Sequence, residues 1–272
     1  MRKRNGFTPL EIRISNRKNG IFLTAFTLIE LLVVIATIAL LLAILIPALQ
    51  RSKKQAKAVV CQANLHEWGL ILAAYTQDND NHFFRGMLDG SWNDWIEILR
   101  PSYVKRGGIT CCPAATKTLD KGGQGVFTAW EDKEGDYGSY GLSAWVCNAD
   151  PGAVFGDEHY WREPAVAGAQ NVPVFLDCLG IAGWPDHTSI PPAYDGQPLQ
   201  YIVLTEQMKN FCINRHERYT NCLFMDWSVK KVGMKELWKL KWHRKFDVNG
   251  PWTKNHVPPP VWPGWMKNFT DY

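Results

Sequence analysis

The stretch Phe26-Thr27-Leu28-Ile29-Glu30-Leu31-Leu32-Val33-Val34-Ile35-Ala36-Thr37-Ile38-Ala39-Leu40-Leu41-Leu42-Ala43-Ile44-Leu45-Ile46-Pro47-Ala48-Leu49 decides how the chain is read. Between Leu31 and Ile46 the sole polar residue is Thr37. Few soluble helices are apolar on every face over four turns. As a helix these residues span about 36 Å, enough for a hydrocarbon core of about 30 Å. Residues 26–49 are therefore predicted to form a single membrane-spanning helix. Two of its residues do not suit a plain anchor. Glu30 places a carboxylate inside the apolar run, where an ionisable group is costly and points to a function with a partner. Pro47 removes an i→i−4 hydrogen bond and predicts a helix kink or local melting.

On the N-terminal side lies a basic leader, residues 1–25. It holds Arg2, Lys3, Arg4, Arg13, Arg17 and Lys18 against the single acid Glu11. The positive-inside rule then predicts a cytoplasmic N-terminus and an exported remainder. A cleaved secretory peptide is the weaker reading. Its apolar run would be shorter, and Gln50-Arg51-Ser52-Lys53-Lys54 is not a small-residue cleavage site.

The whole chain of 272 residues has a formal net charge of +4. Of its 30 Lys and Arg and 26 Asp and Glu, residues 26–272 keep 24 and 25. The body is neutral, so the basic face that nucleic-acid binding requires is not indicated. Hydrophobic residues at 46% and charged residues at 21% exclude a disordered chain, a collagen and a multi-pass membrane protein.

Thr24-Ala25-Phe26-Thr27-Leu28-Ile29-Glu30-Leu31-Leu32-Val33-Val34-Ile35 resembles the class III signal of type IV pilins and type II secretion pseudopilins. The resemblance implies that a prepilin peptidase on the cytoplasmic face cuts between Ala25 and Phe26 and methylates the new N-terminus. Ala25 stands where the family usually has Gly. Glu30 becomes the fifth mature residue, which in the family pairs with the N-terminal amine of an adjacent subunit. Together with Thr27 it would set filament register. An ammonium beside a carboxylate offsets the cost of placing that carboxylate in a low dielectric. Pro47 becomes the twenty-second residue, where the family also has proline. The residue-level alternative for Thr27 and Glu30 is a local helix N-cap. An upstream partial match, Gly6-Phe7-Thr8-Pro9-Leu10-Glu11, precedes a segment too polar for a bilayer and reads as a leader element. The implied partners are the prepilin peptidase, other pilin or pseudopilin subunits, an inner-membrane assembly platform and the lipid bilayer. The implied location is a bacterial inner membrane, crossed once, with the globular domain periplasmic or extracellular.

Residues 50–78 should continue the helix. Cys61, Leu65, Trp68, Leu72 and Tyr75 recur at spacings of four and three, while Lys53, Lys54, Lys57, Gln62 and Glu67 lie opposite. A helix from Phe26 to Asp78 would be about 80 Å long, half anchor and half spine of a domain. Residues 79–272 are the length of one globular domain. Strands are predicted at 126–130, 138–147, 172–176, 201–204, 221–225 and 228–232, and a short helix at 233–242. The fold class is α+β, pilin-like: a long N-terminal helix on an antiparallel sheet. The three consecutive prolines of the C-terminal Pro- and Trp-rich tail predict an extended segment wrapping the domain.

His216, nine residues, then Asp226-Trp227 resembles the H-x9-D-G signature of pilin-like proteins from planctomycete-type bacteria, with Trp227 in place of Gly. A two-residue loop at Asp226-Trp227 would need positive φ at both positions, which Trp resists. A different or wider turn is therefore expected. For His216 the residue-level reading is a structural hydrogen bond, with metal ligation as the alternative.

Seven cysteines, at 61, 111, 112, 147, 178, 212 and 222, can oxidise after export. An odd count leaves at least one free or linking chains. Cys212 and Cys222 would face each other as a disulfide if residues 215–219 formed a hairpin turn. Their spacings match no zinc motif. Asp132, Glu134 and Asp136 alternate like the start of a calcium loop, but the twelfth position is Ser143, so a solvated charge run is the preferred reading and no cofactor is expected. Thirteen tryptophans suggest either a sugar-stacking, adhesive face or a Trp-filled core. No G-x-S-x-G, H-E-x-x-H, P-loop or G-x-G-x-x-G occurs, so an enzyme is not expected. The functional expectation is a prepilin-type filament subunit, first a type II secretion pseudopilin. The alternatives are a surface type IV pilus subunit or a membrane-tethered adhesive or carbohydrate-binding domain.

Overall fold

A computed structural model describes residues 27–272, apart from 86–93, 104–107, 133, 151, 154 and 200–203. Ala25, Phe26 and the leader lie outside the described residues. The fold is α+β, with one long apolar N-terminal helix and a sheet domain. The chain divides into two compact units, Met1–Leu49 and Gln50–Tyr272.

Helix α1 runs from Leu28 to Asp78, 51 residues without interruption. Its helical run is unbroken at Pro47, so the expected local melting is absent. Its first part is long and apolar enough to cross a membrane. Every described residue from Thr27 to Leu49 is exposed. From Ala58 onward the helix changes character, because the apolar stripe now meets protein. Cys61, Leu65, Trp68 and Leu72 are buried, Tyr75 is half-buried, and Lys53, Lys54 and Lys57 face outward.

Helix α2 (Asp94–Tyr103) was not anticipated. Trp95, Ile96, Leu99 and Tyr103 turn one face into the core, where Trp95 meets Trp68 edge-on with ring centroids 5.6 Å apart. The remaining strands are short: β1 (Trp130–Glu131), β2 (Tyr137–Gly138), β3 (Tyr140–Ser143), β4 (Pro173–Asp177), β5 (Ala182–Gly183), β6 (Tyr219–Phe224) and β7 (Val229–Gly233). β1 and β2 pair with each other, while the main sheet has the order β5-β3-β4-β6-β7. Its neighbours are antiparallel except β3 and β5, which run parallel through Leu142 opposite Ala182. Pro173 stands first in β4, where the missing N–H costs no central ladder bond, and the register shifts just after it.

The stripe of α1 packs on this sheet. Trp68 and Phe175 lie 4.9 Å apart between ring centroids. A Cβ at Gly69 would sit 3.0 Å from Leu223 Cδ1, so the small residue lets the helix approach β6 closely.

Several expected strands were overcalled. Residues 125–127 and 144–146 are single 3₁₀ turns. Leu204–Asn210 is a 3₁₀ segment too, and 201–203 lie outside the described residues. The helix expected over 233–242 shrinks to a 3₁₀ turn at Glu236–Lys239. Val126, Trp145, Val146, Met208 and Leu237 are buried here without strand pairing, which a pattern of hydrophobicity alone cannot distinguish from strand.

Tryptophan explains how so irregular a domain is held. None of the described tryptophans is exposed. Eight of them donate an indole N–H to a backbone carbonyl, in most cases one in a loop or turn. Trp68 bonds Ile109 O, Trp95 bonds Ile181 O, Trp145 bonds Pro185 O and Trp238 bonds Ser189 O, at 2.7–3.1 Å. Trp130, Trp161, Trp242 and Trp265 do the same. Loop carbonyls such as Ile109 O, Pro185 O and Ser189 O thus find donors within the core. The tail latches in the same manner: Trp262 and Trp252 pack by Trp238, and Lys235 Nζ donates to Phe269 O and pairs with Asp271.

Candidate functional site

At its start α1 carries a reciprocal cap. Thr27 N and Oγ1 donate to Glu30 Oε2 at 2.8 and 2.7 Å, and Glu30 N donates back to Thr27 Oγ1 at 3.2 Å. This capping box satisfies orphan donors at the helix start and holds the carboxylate against the backbone.

The two signature residues do separate jobs. Asp226 sits in a three-residue hairpin loop, 225–227, and accepts from Ser228 N and Oγ. Trp227 N donates to Phe224 O, Phe224 N donates to Ser228 O, and Trp227 has φ +65°. This is the wider turn with a left-handed third residue, the place where glycine is usually favoured. Trp227 instead packs near Phe83.

His216 lies elsewhere, in a buried cluster that four separate segments assemble. α1 supplies Cys61, the loop after α2 supplies Cys112, the last residue of β4 is Asp177, and the approach to β6 supplies His216. Their ligating atoms all lie within 4.8 Å of one another. Cys112 Sγ is 3.3 Å from His216 Nε2, which is 3.2 Å from Asp177 Oδ2; Cys61 Sγ is 3.6 Å from the same oxygen. Ala114 N donates to Cys112 Sγ and Asn221 N donates to Asp177 Oδ2. Arg215, fully buried, spans the far side: its guanidinium donates to the carbonyls of Val126, Thr128, Ser139 and Cys178 and reaches Asp177 Oδ1 at 3.4 Å.

The electrostatics follow from that packing. Burial pulls His216 down, but its bonds to Asp177 and Cys112 outweigh burial and raise it to about 10. The hydrogen bond with Cys61, helped by His216, overcomes burial and lowers the Cys112 thiol to about 7. Cys61 is pushed far up, chiefly by burial. Burial works against the Asp177 carboxylate, but His216 and Arg215 hold it below the usual range.

Glu134 and Asp136 converge on Arg100, while Asp132 turns to the backbone. Arg100 pairs with Glu134 at 2.7 Å and with Asp136, and Asp132 Oδ1 accepts from the backbone of Glu134 and Asp136. An arginine already neutralises the run. No disulfide joins Cys212 and Cys222, whose thiols are both buried. The hairpin that would join them does not form, since a 3₁₀ segment and Arg215, not a strand, precede β6.

A second cluster brings together Asp186, His187 and His243. His243 Nε2 is 3.0 Å from Asp186 Oδ2, and the ring stacks by Trp145 and His159. Burial lowers His243 against the pull of Asp186. The unfolded chain therefore takes up a proton there before the folded chain does. Stability is lost as pH falls below the unfolded value of about 6.5. We expect His243→Gln to flatten the loss of urea midpoint between about pH 7.5 and about pH 5.5. An unchanged slope would refute the assignment.

In comparisons with known proteins, no family model, no curated protein and no solved structure matches the chain.

Proposed function

We propose that the chain is a prepilin-type filament subunit, processed between Ala25 and Phe26 and assembled through the apolar half of α1. The observation that carries this reading is Glu30. It sits near the start of a helix whose described residues from Thr27 to Leu49 are all exposed, and its contacts there are to Thr27. A plain anchor gains only the helix cap from a carboxylate there, at the cost of an ionisable group in the apolar run. A filament does, because a neighbouring N-terminal amine can pair with it while the exposed leucines and isoleucines pack together. Of the filament types, a type II secretion pseudopilus is the first choice and a surface type IV pilus the alternative; loss of secretion or of surface filaments in a deletion strain separates them. The adhesive reading has less support, since none of the described tryptophans is exposed. The bilayer holds the chain before assembly, with the sheet domain on the exported side.

Mass analysis of the membrane-extracted chain tests the proposal. The expected N-terminal peptide begins at Phe26 and is about 14 Da heavy from methylation. Glu30→Ala is expected to insert and be cut yet fail to enter filaments, while parent filaments form. An intact Met1, or a cut beyond Leu49, would overturn the reading.

A further inference from the structure

We propose that Cys61, Cys112, Asp177 and His216 form a structural centre for a zinc-class divalent cation, which pins helix α1 to the sheet domain. The inference does not depend on the filament reading.

The geometry is that of a coordination shell. Zinc bonds near 2.3 Å to sulfur and near 2.0–2.1 Å to nitrogen or oxygen place tetrahedral ligand atoms about 3.3–3.8 Å apart. Three of the six edges lie near that range, at 3.2 Å for nitrogen to oxygen, 3.3 Å for sulfur to nitrogen and 3.6 Å for sulfur to oxygen, and all four ligand atoms lie within 4.8 Å of one another. The rival reading is a Cys-His-Asp relay. A relay uses opposite ring nitrogens, one toward the thiol and one toward the carboxylate. Here Nε2 of His216 faces both Cys112 and Asp177. One nitrogen cannot donate well to two partners while also receiving a proton from one of them. It can, with three other ligands, point at a common centre.

Chemistry and charge agree. Two thiolates and an imidazole select a borderline-soft ion over calcium or magnesium. Two thiolates and a carboxylate carry three negative charges, which a dication and the buried Arg215 together balance. The supporting contacts are those a metal centre uses. Arg215 and Asn221 N orient the Asp177 carboxylate, and Ala114 N donates to the Cys112 sulfur. Four protein ligands leave no open position, which is the structural rather than the catalytic form. Access comes through a cavity of about 580 Å³ that His216 lines with Lys54, Lys57, Ala58, Ala114 and Arg215. The cation would join four segments far apart in sequence, so its binding would stabilise the folded state directly.

The test uses the full chain in detergent, purified without chelator. Elemental analysis is expected to find about one zinc per chain, falling at least roughly tenfold in Cys61→Ser and His216→Ala. Cys212→Ser, a buried thiol outside the cluster, is expected to keep its metal. Exchange of the parent with cobalt(II) is expected to give the strong visible bands of a tetrahedral thiolate site, a readout that needs no variant to fold. Three outcomes would overturn the proposal: a reduced and reconstituted parent chain that takes up neither zinc nor cobalt, metal retained in both ligand variants, or a Cys61–Cys112 disulfide in the chain isolated under non-reducing conditions.

Discussion

Arg215→Met is expected to leave the sheet domain without a cooperative unfolding transition. The guanidinium is buried and uses all of its nitrogens: Nε on Val126 O, Nη1 on Ser139 O and Asp177, Nη2 on Thr128 O and Cys178 O. Removing one partner of a buried ion pair costs about 3–5 kcal/mol. Each buried carbonyl left unpaired adds about 1–3 kcal/mol. Against a total stability of about 5–15 kcal/mol, that sum removes most or all of the folded population. Arg215→Lys restores the charge but not the fork, since one ammonium cannot reach four carbonyls on two sides. It is expected to remain foldable and to lose at least about 2 kcal/mol. Urea unfolding of the detergent-solubilised chain, followed by Trp fluorescence, measures both. A loss below about 1 kcal/mol in Arg215→Met would show that the network is not what joins these loops.

Trp68→Ala is expected to cost about 3–5 kcal/mol. Trp68 is the point where α1, α2 and the sheet meet: its ring contacts Trp95, Tyr103 and Phe175, and its indole bonds Ile109 O. Truncation leaves a cavity that three elements would have to collapse into, and it orphans a loop carbonyl. Leu70→Ala, two residues away on the exposed face, is expected to change stability by less than about 0.5 kcal/mol. Equal effects from the two substitutions would mean that α1 does not pack as a spine on the sheet. Trp68→Phe keeps part of the volume without the N–H, so it separates packing from the hydrogen bond.

The two signature positions show how far a short pattern reaches. Asp226 lies in the hairpin the local sequence predicts, and the difficulty of Trp227 correctly signals a loop wider than two residues. His216, ten positions earlier, is occupied by a partner set that no spacing rule describes. Cys61, Cys112 and Asp177 reach it through α1, a loop and β4. The cysteine pattern lacks any zinc motif because such motifs record ligands on one hairpin or one helix turn. Ligands drawn from four segments leave no periodic trace. The Asp132-Glu134-Asp136 run errs in the other direction: it has a local pattern, but Arg100, from α2, occupies the acids.

Features whose physics is local can be read from the residues alone. The apolar run from Leu31 to Ile46 needs only its own composition to be a helix apolar and long enough to cross a membrane. The stripe from Cys61 to Tyr75 needs only the 3.6-residue repeat, and β6 and β7 need only short runs carrying apolar residues on either side of a turn. Tertiary structure decided the rest. Segments around 126 and 144 carry strand-like apolar residues yet bury Val126, Ala144, Trp145 and Val146 as 3₁₀ turns. The tryptophans became staples of loop carbonyls because those carbonyls happen to face them. The cluster at Cys61, Cys112, Asp177 and His216 exists only once helix, loop and sheet have packed. Burial and long-range charge then decide the character of each group, and neither is a property of the residues on either side of it.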